Sequence, residues 1–445
     1  MITKARLTDI IVLMREEKNA EIFPKHFFWG ASTSAHQVEG RNQNQWTVWE
    51  LENAAQQAQT AHLRLSWMPS WDQFKDQAEE PSNYVSGEGV DHFNRYKEDF
   101  AIIKQLNMNA FRFSVEWSRI EPLEGQWDEQ AIEHYQKYIK ELRRMKIEPF
   151  FNIWHWTLPV WFAEKGGFEK KENLEYWNRF VKKIADDLMF DVEYVITLNE
   201  PNVDATFSYL LNLHPRNNEQ RSNQITPAVW TSWKFVQVYW NLMRAHRSAY
   251  KILKDNKPTL NVGIATQLAN IQAKRPHNYL DQITTQVMRY FWNWWFLNKV
   301  KRQLDFVGVN YYFSDYYTGL GKRRNPKVPT NDMGWYMEPE GIYPLLLRVW
   351  ARYKKPVFVT ESGLADANDE YRQWWIEESI VSMEKALSEG VDLRGYFYWS
   401  LLDNFEWQDG WWPQFGLVHV DRKKGMKRTI RPSAKWFGDW LSRIR

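Results

Sequence analysis

The chain has 445 residues, of which 44% are hydrophobic and 25% charged, close to the usual balance for a soluble globular protein. This composition excludes wholesale disorder and a membrane-embedded body, and the length suits two or three average domains or one α/β barrel with long loops. The formal net charge is only +3 and the basic residues are scattered, so the sequence predicts no nucleic-acid or membrane partner. Oligomeric state cannot be deduced from these numbers.

The first segment, residues 1–21, contains one apolar run that is too short for a signal-peptide core, and no small-residue cleavage site follows it. We expect this segment to be a helical N-terminal extension ahead of a barrel domain over residues 22–445. The chain has no cysteine, which excludes disulfides and thiolate chemistry. These features together predict a cytoplasmic location, although many exported proteins also lack cysteine.

Short apolar runs alternate with amphipathic stretches along the rest of the chain, and the polar region 53–90 is predicted to be a long loop with short helices. The runs cover residues 27–32, 110–115, 148–154, 193–199, 261–266, 305–310, 356–361 and 394–400. One amphipathic stretch, 129–146, follows Asp128, a plausible N-cap. This alternation predicts the α/β class, as a single (β/α)8 TIM barrel with long βα loops. A doubly wound open sheet is the alternative, but it usually has a glycine-rich phosphate loop, and GxGxxG is absent.

Polar side chains lie at or near the C-terminal ends of most of these predicted strands. In a barrel those ends converge on one face, where active sites form, so residues distant in sequence should surround one pocket. The residues concerned are Arg112, His155, Asn199, Glu200, Asn310, Tyr312, Glu361 and Trp399.

Two of these residues are carboxylates that directly follow apolar strands. Glu200 lies in TLNEP (197–201) and Glu361 in VTESG (359–363), on the predicted fourth and seventh strands. Glycoside hydrolysis requires at least two opposed carboxyl groups. From the spacing alone, a helix cap or an ion pair is still an alternative interpretation of either glutamate. The high aromatic content, with 27 Trp, 25 Phe and 21 Tyr, is compatible with a cleft in which sugar rings pack on flat side chains.

The motifs TLNEP, VTESG, NYY (310–312) and SLLDNFEW (400–407) resemble those of glycoside hydrolase family 1, the β-glucosidase group. The resemblance extends from about Phe23 to the C-terminal region and includes FPKHFFWGASTSAHQVEG (23–40), HWTLPVWFAEKGGF (155–168) and FGLVHVD (415–421). It implies a retaining exo-β-glycosidase that acts without a metal or organic cofactor. Its substrate would be a small-molecule glycoside or an oligosaccharide, chiefly a β-glucoside, with some activity on a β-galactoside or β-fucoside.

The resemblance also implies a role for each residue. Glu361 would be the nucleophile and Glu200 the acid/base, with Arg112 pairing with Glu361, Tyr312 orienting it and Asn199 holding the sugar 2-hydroxyl. The remaining residues implied to bind substrate are Gln37, His155, Asn310, Trp335, Trp399, Glu406, Trp407 and Phe415. Glu406 stands where the phospho-β-glycosidase branch has residues suited to a phosphate, which implies unphosphorylated sugars.

The sequence departs from the family pattern at Ser362, which follows the predicted nucleophile where asparagine is usual. The segments 41–90 and 204–225 also match poorly, so the preferred leaving group cannot be inferred from the resemblance. Two other interpretations stay open at this point: a non-catalytic sugar-binding protein on the same barrel, and a transglycosylase that uses the same two glutamates.

Overall fold

The computed structural model describes residues 22–215, 228–323, 325 and 327–444, with side chains for all of these except 228–231. The N-terminal extension predicted over residues 1–21 lies outside the described residues.

Among the described residues, eight parallel strands close into a barrel in the order β1-β8-β7-β6-β5-β4-β3-β2. The strands are β1 (Phe28–Ser32), β2 (Ala110–Ser114), β3 (Glu148–Trp154), β4 (Tyr194–Asn199), β5 (Asn261–Gln267), β6 (Phe306–Tyr311), β7 (Val357–Ser362) and β8 (Leu393–Trp399). Each strand matches one of the eight predicted apolar runs to within one or two residues. The predicted (β/α)8 barrel is therefore confirmed.

A major helix follows each strand. These helices are α1 (His92–Gln105), α2 (Glu129–Arg144), α3 (Leu174–Leu188), α4 (Ala228–Asn256), α5 (Tyr279–Arg289), α6 (Ile342–Tyr353), α7 (Arg372–Ser388) and α8 (Pro432–Ile444). The loops contain further helices at Ala35–Val38, Gln45–Gln59, Ala61–Leu65, Trp71–Ala78, Trp117–Ile120, Val160–Glu164, Pro201–Tyr209 and Trp295–Val300. Tyr290–Trp294 forms a π-helical turn between α5 and the last of these. The polar region 53–90 is thus more helical than expected, because the 15-residue helix Gln45–Gln59 extends into it.

Small additional sheets form within the loops. Strands Asn270–Ala273, Ser314–Thr318 and Gly321–Lys322 form a three-stranded sheet after β5 and β6, and Val418–Asp421 pairs with Lys427–Ile430 after β8. No helix within the described residues is long and apolar enough to cross a lipid bilayer.

Helix α2 shows how local sequence determines these elements. The Asp128 carboxylate accepts hydrogen bonds from the backbone N–H groups of Gln130 and Ala131, each at 2.9 Å, and so satisfies donors that a helix N-terminus leaves free. The apolar side chains spaced along one face of the helix are all buried, namely Ile132, Tyr135, Ile139 and Leu142.

The barrel interior is filled at its N-terminal end by a compact apolar cluster. Phe150 and Tyr194 stack there with ring centroids 4.5 Å apart. The buried members of the cluster are Ala110, Phe150, Ile196, Ala265, Phe306, Phe358 and Phe397. These residues precede the polar ones on the same strands, so the interior changes from packed hydrocarbon to polar groups toward the strands' C-terminal ends.

Gly363 allows β7 and β8 to approach closely where both strands end. A Cβ atom added at Gly363 would lie 1.8 Å from the backbone carbonyl oxygen of Trp399, a contact with main chain that no side-chain rotation can relieve. Only glycine fits here without moving Trp399 or Glu361.

We predict that Gly363→Ala lowers the free energy of unfolding by about 1–3 kcal/mol, because overpacking a closed strand pair forces the backbone apart. Urea denaturation measures the change. Gly319→Ala is the control, since the new methyl at this exposed turn meets chiefly the flexible Leu280 side chain. Equal stability of the two variants would contradict the close-approach argument.

Candidate active site

A cavity of about 620 Å³ opens at the C-terminal ends of the barrel strands, within the range of ligand-binding pockets. Most of the residues predicted from sequence contribute to its lining. Those that line it are His155, Glu200, Tyr312, Trp335, Glu361, Trp399, Glu406, Trp407 and Phe415. The remaining predicted residues, Gln37, Arg112, Asn199 and Asn310, are fully buried and support the lining residues from behind.

Glu361, at the end of β7, is bound on both carboxylate oxygens. Arg112 of β2 donates to its Oε1 in a buried ion pair, and the Tyr312 hydroxyl donates to its Oε2 at 2.6 Å. The second guanidinium arm of Arg112 donates to Oδ1 of Asn199 at 2.5 Å. One arginine on β2 thereby fixes groups at the ends of β4 and β7.

Glu200 follows β4 and occupies the position before helix Pro201–Tyr209. Its backbone lies in the left-handed region with φ of 45°, and its N–H donates to the Ala265 carbonyl of β5 at 2.8 Å. The Asn310 amide donates to its Oε1, also at 2.8 Å. A non-glycine residue in this conformation is uncommon and is often found at functional sites, where it directs a side chain in a way that regular structure does not allow.

An asparagine pair links the two carboxyl groups. The amide nitrogen of Asn310 also lies 3.1 Å from Oδ1 of Asn199, and Thr360 donates to the Asn310 oxygen at 2.6 Å. Asn310 further favours the charged form of Glu361. Asn310 is paired with Glu361 in the register of β6 and β7 and donates to Glu200, so the two carboxyl groups lie on either side of one residue.

The environments of the two carboxyl groups differ. Burial raises the pKa of Glu200 well above its usual value, and the neighbouring Glu361 charge raises it further. Burial also raises the pKa of Glu361, but Arg112 and Tyr312 oppose this effect by stabilising its charged form. The pair is therefore arranged to hold one proton on Glu200 while Glu361 is ionised.

The polar end of the cavity combines rings with hydrogen-bonding groups. The His155 ring stacks between Trp399 and Trp407, at interplanar angles of 25° and 14°. Burial lowers the pKa of His155 well below its usual value, so its imidazole is neutral. Gln37 donates to Glu406 at 3.3 Å and to the Asn404 side chain at 3.0 Å.

Trp335 and Phe415 stand together with Tyr312 on another part of the wall. The Trp335 ring centroid lies 5.7 Å from that of Tyr312 and 5.9 Å from that of Phe415. All three side chains line the cavity, as predicted. The roles of Trp335 and Phe415 in substrate binding stay predictions.

Sequence reasoning missed a large part of the cavity, which the loops after β4, β5 and β6 supply. The residues concerned are mostly apolar: Phe207, Leu210, Leu211, Phe235, Ile271, Met288, Phe291, Trp292, Trp295, Phe313 and Tyr317. The spacing of residues 288, 291, 292 and 295 would have indicated one helix face. The sequence could not show that this face is turned toward the cavity. No group of three or more His, Asp or Glu side chains in the described part of the chain is placed to hold a metal ion.

Comparison with known proteins shows which family the chain belongs to. The family model described as "Glycosyl hydrolase family 1" matches residues 19–303 and 297–443, which is nearly the whole chain. The chain belongs to glycosyl hydrolase family 1. Its membership makes the protein a glycoside hydrolase, and the relatives below support β-glycosidase activity.

Several family 1 proteins resemble the chain over almost its full length. "Beta-glucosidase A" of Thermotoga maritima is 30% identical and aligns with 95% of this chain and 98% of its own. "Aryl-phospho-beta-D-glucosidase BglC" of Bacillus subtilis is 27% identical, with 95% and 98% covered. The solved structure of a "beta-glycosidase from Pyrococcus horikoshii" has a TM-score of 0.80 at 31% identity, with 95% of both chains covered. The relatives thus include proteins named as a β-glucosidase and as an aryl-phospho-β-glucosidase.

We predict that Glu200→Gln is more thermally stable than the wild type at pH 8 and that the difference shrinks toward pH 4. The folded-state pKa of Glu200 is raised, so ionisation above the unfolded pKa destabilises the wild type, whereas below that pKa the carboxyl is protonated in both states. Melting temperatures of both proteins at the two pH values measure the effect. Glu52→Gln, which removes an exposed carboxyl group, is the control for the general effect of such a substitution on the melting temperature. A difference that grows as the pH falls would contradict the assignment of the raised pKa.

Proposed function

We propose that the protein is a retaining exo-β-glycosidase that hydrolyses unphosphorylated β-glucosides, with Glu361 as nucleophile and Glu200 as acid/base. The observation that supports this most directly is the unlike pair of carboxyl groups in one cavity. Arg112 and Tyr312 hold Glu361 as a carboxylate, and burial favours a proton on Glu200. Glycoside hydrolysis requires this division between a charged and a protonated carboxyl group.

The first half of the proposed reaction forms a bond between the enzyme and the sugar. A carboxylate oxygen of Glu361 attacks the anomeric carbon while the bond from that carbon to the leaving-group oxygen breaks. Glu200 transfers its proton to the leaving oxygen, so an alcohol departs. Retention requires carboxyl groups about 5–5.5 Å apart, which leaves no room for water between them. Asn310 donates to Glu200 and is paired with Glu361 in the register of β6 and β7, which supports a short separation.

The second half releases the sugar. Once Glu361 is esterified its charge is gone, so the electrostatic cause of part of the raised pKa of Glu200 is removed and Glu200 can act as a base. It takes a proton from water, the water oxygen attacks the anomeric carbon, and the bond to Glu361 breaks. Both carboxyl groups then return to their starting protonation states.

Preference for an unphosphorylated sugar rests on the polar end of the cavity. Glu406 lies there beside Gln37, next to His155 and Trp407. Among the described residues that line the cavity, the one lysine or arginine is Lys322, which is paired with Asp315 at 2.6 Å on the loops after β6. A 6-phosphate placed beside Glu406 would therefore lack a cationic partner.

Substitution of the two glutamates tests the mechanism. We expect Glu361→Gly and Glu200→Ala each to reduce the hydrolysis of an aryl β-glucoside at least about a thousandfold. Azide should then restore turnover in both variants, giving the α-glycosyl azide with Glu361→Gly and the β-glycosyl azide with Glu200→Ala. The two products differ because azide replaces the nucleophile in one case and the incoming water in the other.

Proton NMR of the products distinguishes the two anomers. Full activity of Glu361→Gly would exclude Glu361 as the nucleophile. Release of α-glucose by the wild type as the first product would exclude retention. Glu52→Gln, which removes a carboxyl group outside the cavity, should hydrolyse the substrate at the wild-type rate.

Phosphorylation of the sugar provides a separate test. We predict that kcat/KM for an aryl β-glucoside exceeds that for the same glucoside bearing a 6-phosphate by at least about a hundredfold, because a buried anion without a partner is strongly disfavoured. Initial-rate measurements on the two substrates under the same conditions give this ratio of kcat/KM. Preference for the phosphorylated sugar would place the protein beside the aryl-phospho-β-glucosidases instead.

A further inference from the structure

Two arginines outside the cavity have no acidic partner in the described part of the chain. Arg289 is the last residue of α5 and Arg348 lies on α6. Neither side chain lines the cavity, and the proposed mechanism uses neither. Both are partly buried, and no carboxylate pairs with or acts on either guanidinium among the described residues. A cation that is partly removed from water without a counter-ion is costly.

The two side chains converge on one short strand, Asn270–Ala273, against which both helices pack. Nε of Arg289 donates to the backbone carbonyl oxygen of Ile271 at 2.7 Å. A terminal nitrogen of Arg348 donates to Oδ1 of Asn270 at 3.2 Å. These two acceptors belong to consecutive residues, so both positive charges are held at the same stretch of chain. Both acceptors are also neutral, so neither charge is compensated.

The two guanidinium groups repel each other. Burial lowers the pKa of Arg289 to about 10, and the charge of Arg348 contributes to this effect. Burial lowers the pKa of Arg348 as well. A guanidinium with a pKa near 10 is still charged at neutral pH, so the protein holds two like charges close together. An anion bound between them would replace this repulsion by attraction.

Hydrogen-bond donors remain available beside these charges. A guanidinium carries five N–H groups in a planar fork, and each of the two arginines makes one hydrogen bond within the described structure. Their other nitrogens are not among the buried atoms that lack a partner, so solvent reaches them. The hydroxyl of Thr285, which lies one turn before Arg289 on the same face of α5, is buried without a hydrogen-bond partner.

This set of donors suits a tetrahedral oxyanion. Guanidinium groups bind phosphate oxygens through paired N–H donors, and such charge-assisted hydrogen bonds are stronger than neutral ones. A phosphate group carries between one and two negative charges at neutral pH and several acceptor oxygens, which two arginines can share. Chloride offers one charge and no array of oxygens, and a carboxylate offers only two oxygens in one plane.

The geometry points to an oxyanion site between α5 and α6, in which Arg289 and Arg348 bind a phosphate group. The ligand is inorganic phosphate or the phosphate monoester of a small molecule. The site is separate from the cavity at the barrel mouth, and it does not depend on the proposed glycosidase activity. The bound anion links α5 to α6 and so stabilises the folded protein.

Equilibrium dialysis against radioactive inorganic phosphate at pH 7.5 tests the site directly. It should show about one phosphate bound per chain. The melting temperature should rise with phosphate concentration to at least about 1 °C above that in sodium chloride of the same ionic strength. Glycerol 3-phosphate is measured in parallel: tighter binding than inorganic phosphate assigns the site to a monoester, and weaker binding assigns it to the free ion.

Substitution of both arginines assigns the binding to this site. The double variant Arg289→Gln, Arg348→Gln should bind phosphate at least about tenfold more weakly than the wild type and lose the phosphate-dependent rise in melting temperature. Arg302→Gln is the matched control, since it removes an exposed arginine elsewhere and should leave both measurements unchanged. Circular dichroism verifies folding. If the double variant does not fold, Arg348→Gln serves in its place, because it retains the bond from Arg289 to Ile271.

A purely structural role for the arginines gives a different result. If they only brace the strand through their hydrogen bonds, the double variant melts below the wild type by the same amount with and without phosphate. That result would overturn the oxyanion site. Failure of the wild type to bind either phosphate compound, a thermal shift no larger than that in chloride, or unchanged binding by the double variant would overturn it equally.

Discussion

The buried guanidinium of Arg112 is the constraint on which the rest of the site depends. A cation inside the barrel is costly unless it is paired, and Arg112 is paired with Glu361 and hydrogen-bonded to Asn199. Arg112 lies on β2 and its two partners lie at the ends of β7 and β4, so the arginine connects three strands of the barrel. Removing it would leave a carboxylate buried without its counter-ion, and both the position and the charge of Glu361 would change together.

Asn310 extends this constraint to the second carboxyl group. Its amide donates to Glu200, contacts Asn199 and favours the charged form of Glu361. The protonation states of Glu200 and Glu361 are therefore properties of one network that holds a single proton most easily. The neutral His155 ring beside Asn199 adds no further charge to it.

Much of this arrangement could be predicted from the sequence because it follows from local patterns. A short apolar run that ends in a polar residue indicates a barrel strand and its active face, and all eight runs form strands. Two features could not be predicted from such patterns. Nothing local distinguishes Tyr312, which lines the cavity, from Asn310, which lies behind it, because that depends on how the strands tilt and pack. The aromatic-rich segment 291–296 could equally have been core, and only its packing against α4 turns Phe291 and Trp295 toward the cavity.

The polar end of the cavity and the apolar wall, meaning the apolar lining residues after β4 and β5, come from separate parts of the barrel, and this has an evolutionary consequence. Because the wall belongs to loops after β4 and β5 that play no part in holding Arg112, those loops can change in length and composition while the reacting groups keep their geometry. Proteins built on this barrel can in this way vary the lining of the cavity beside the carboxyl pair. The reacting groups would be inherited unchanged, and selection would act on the loops after β4 and β5.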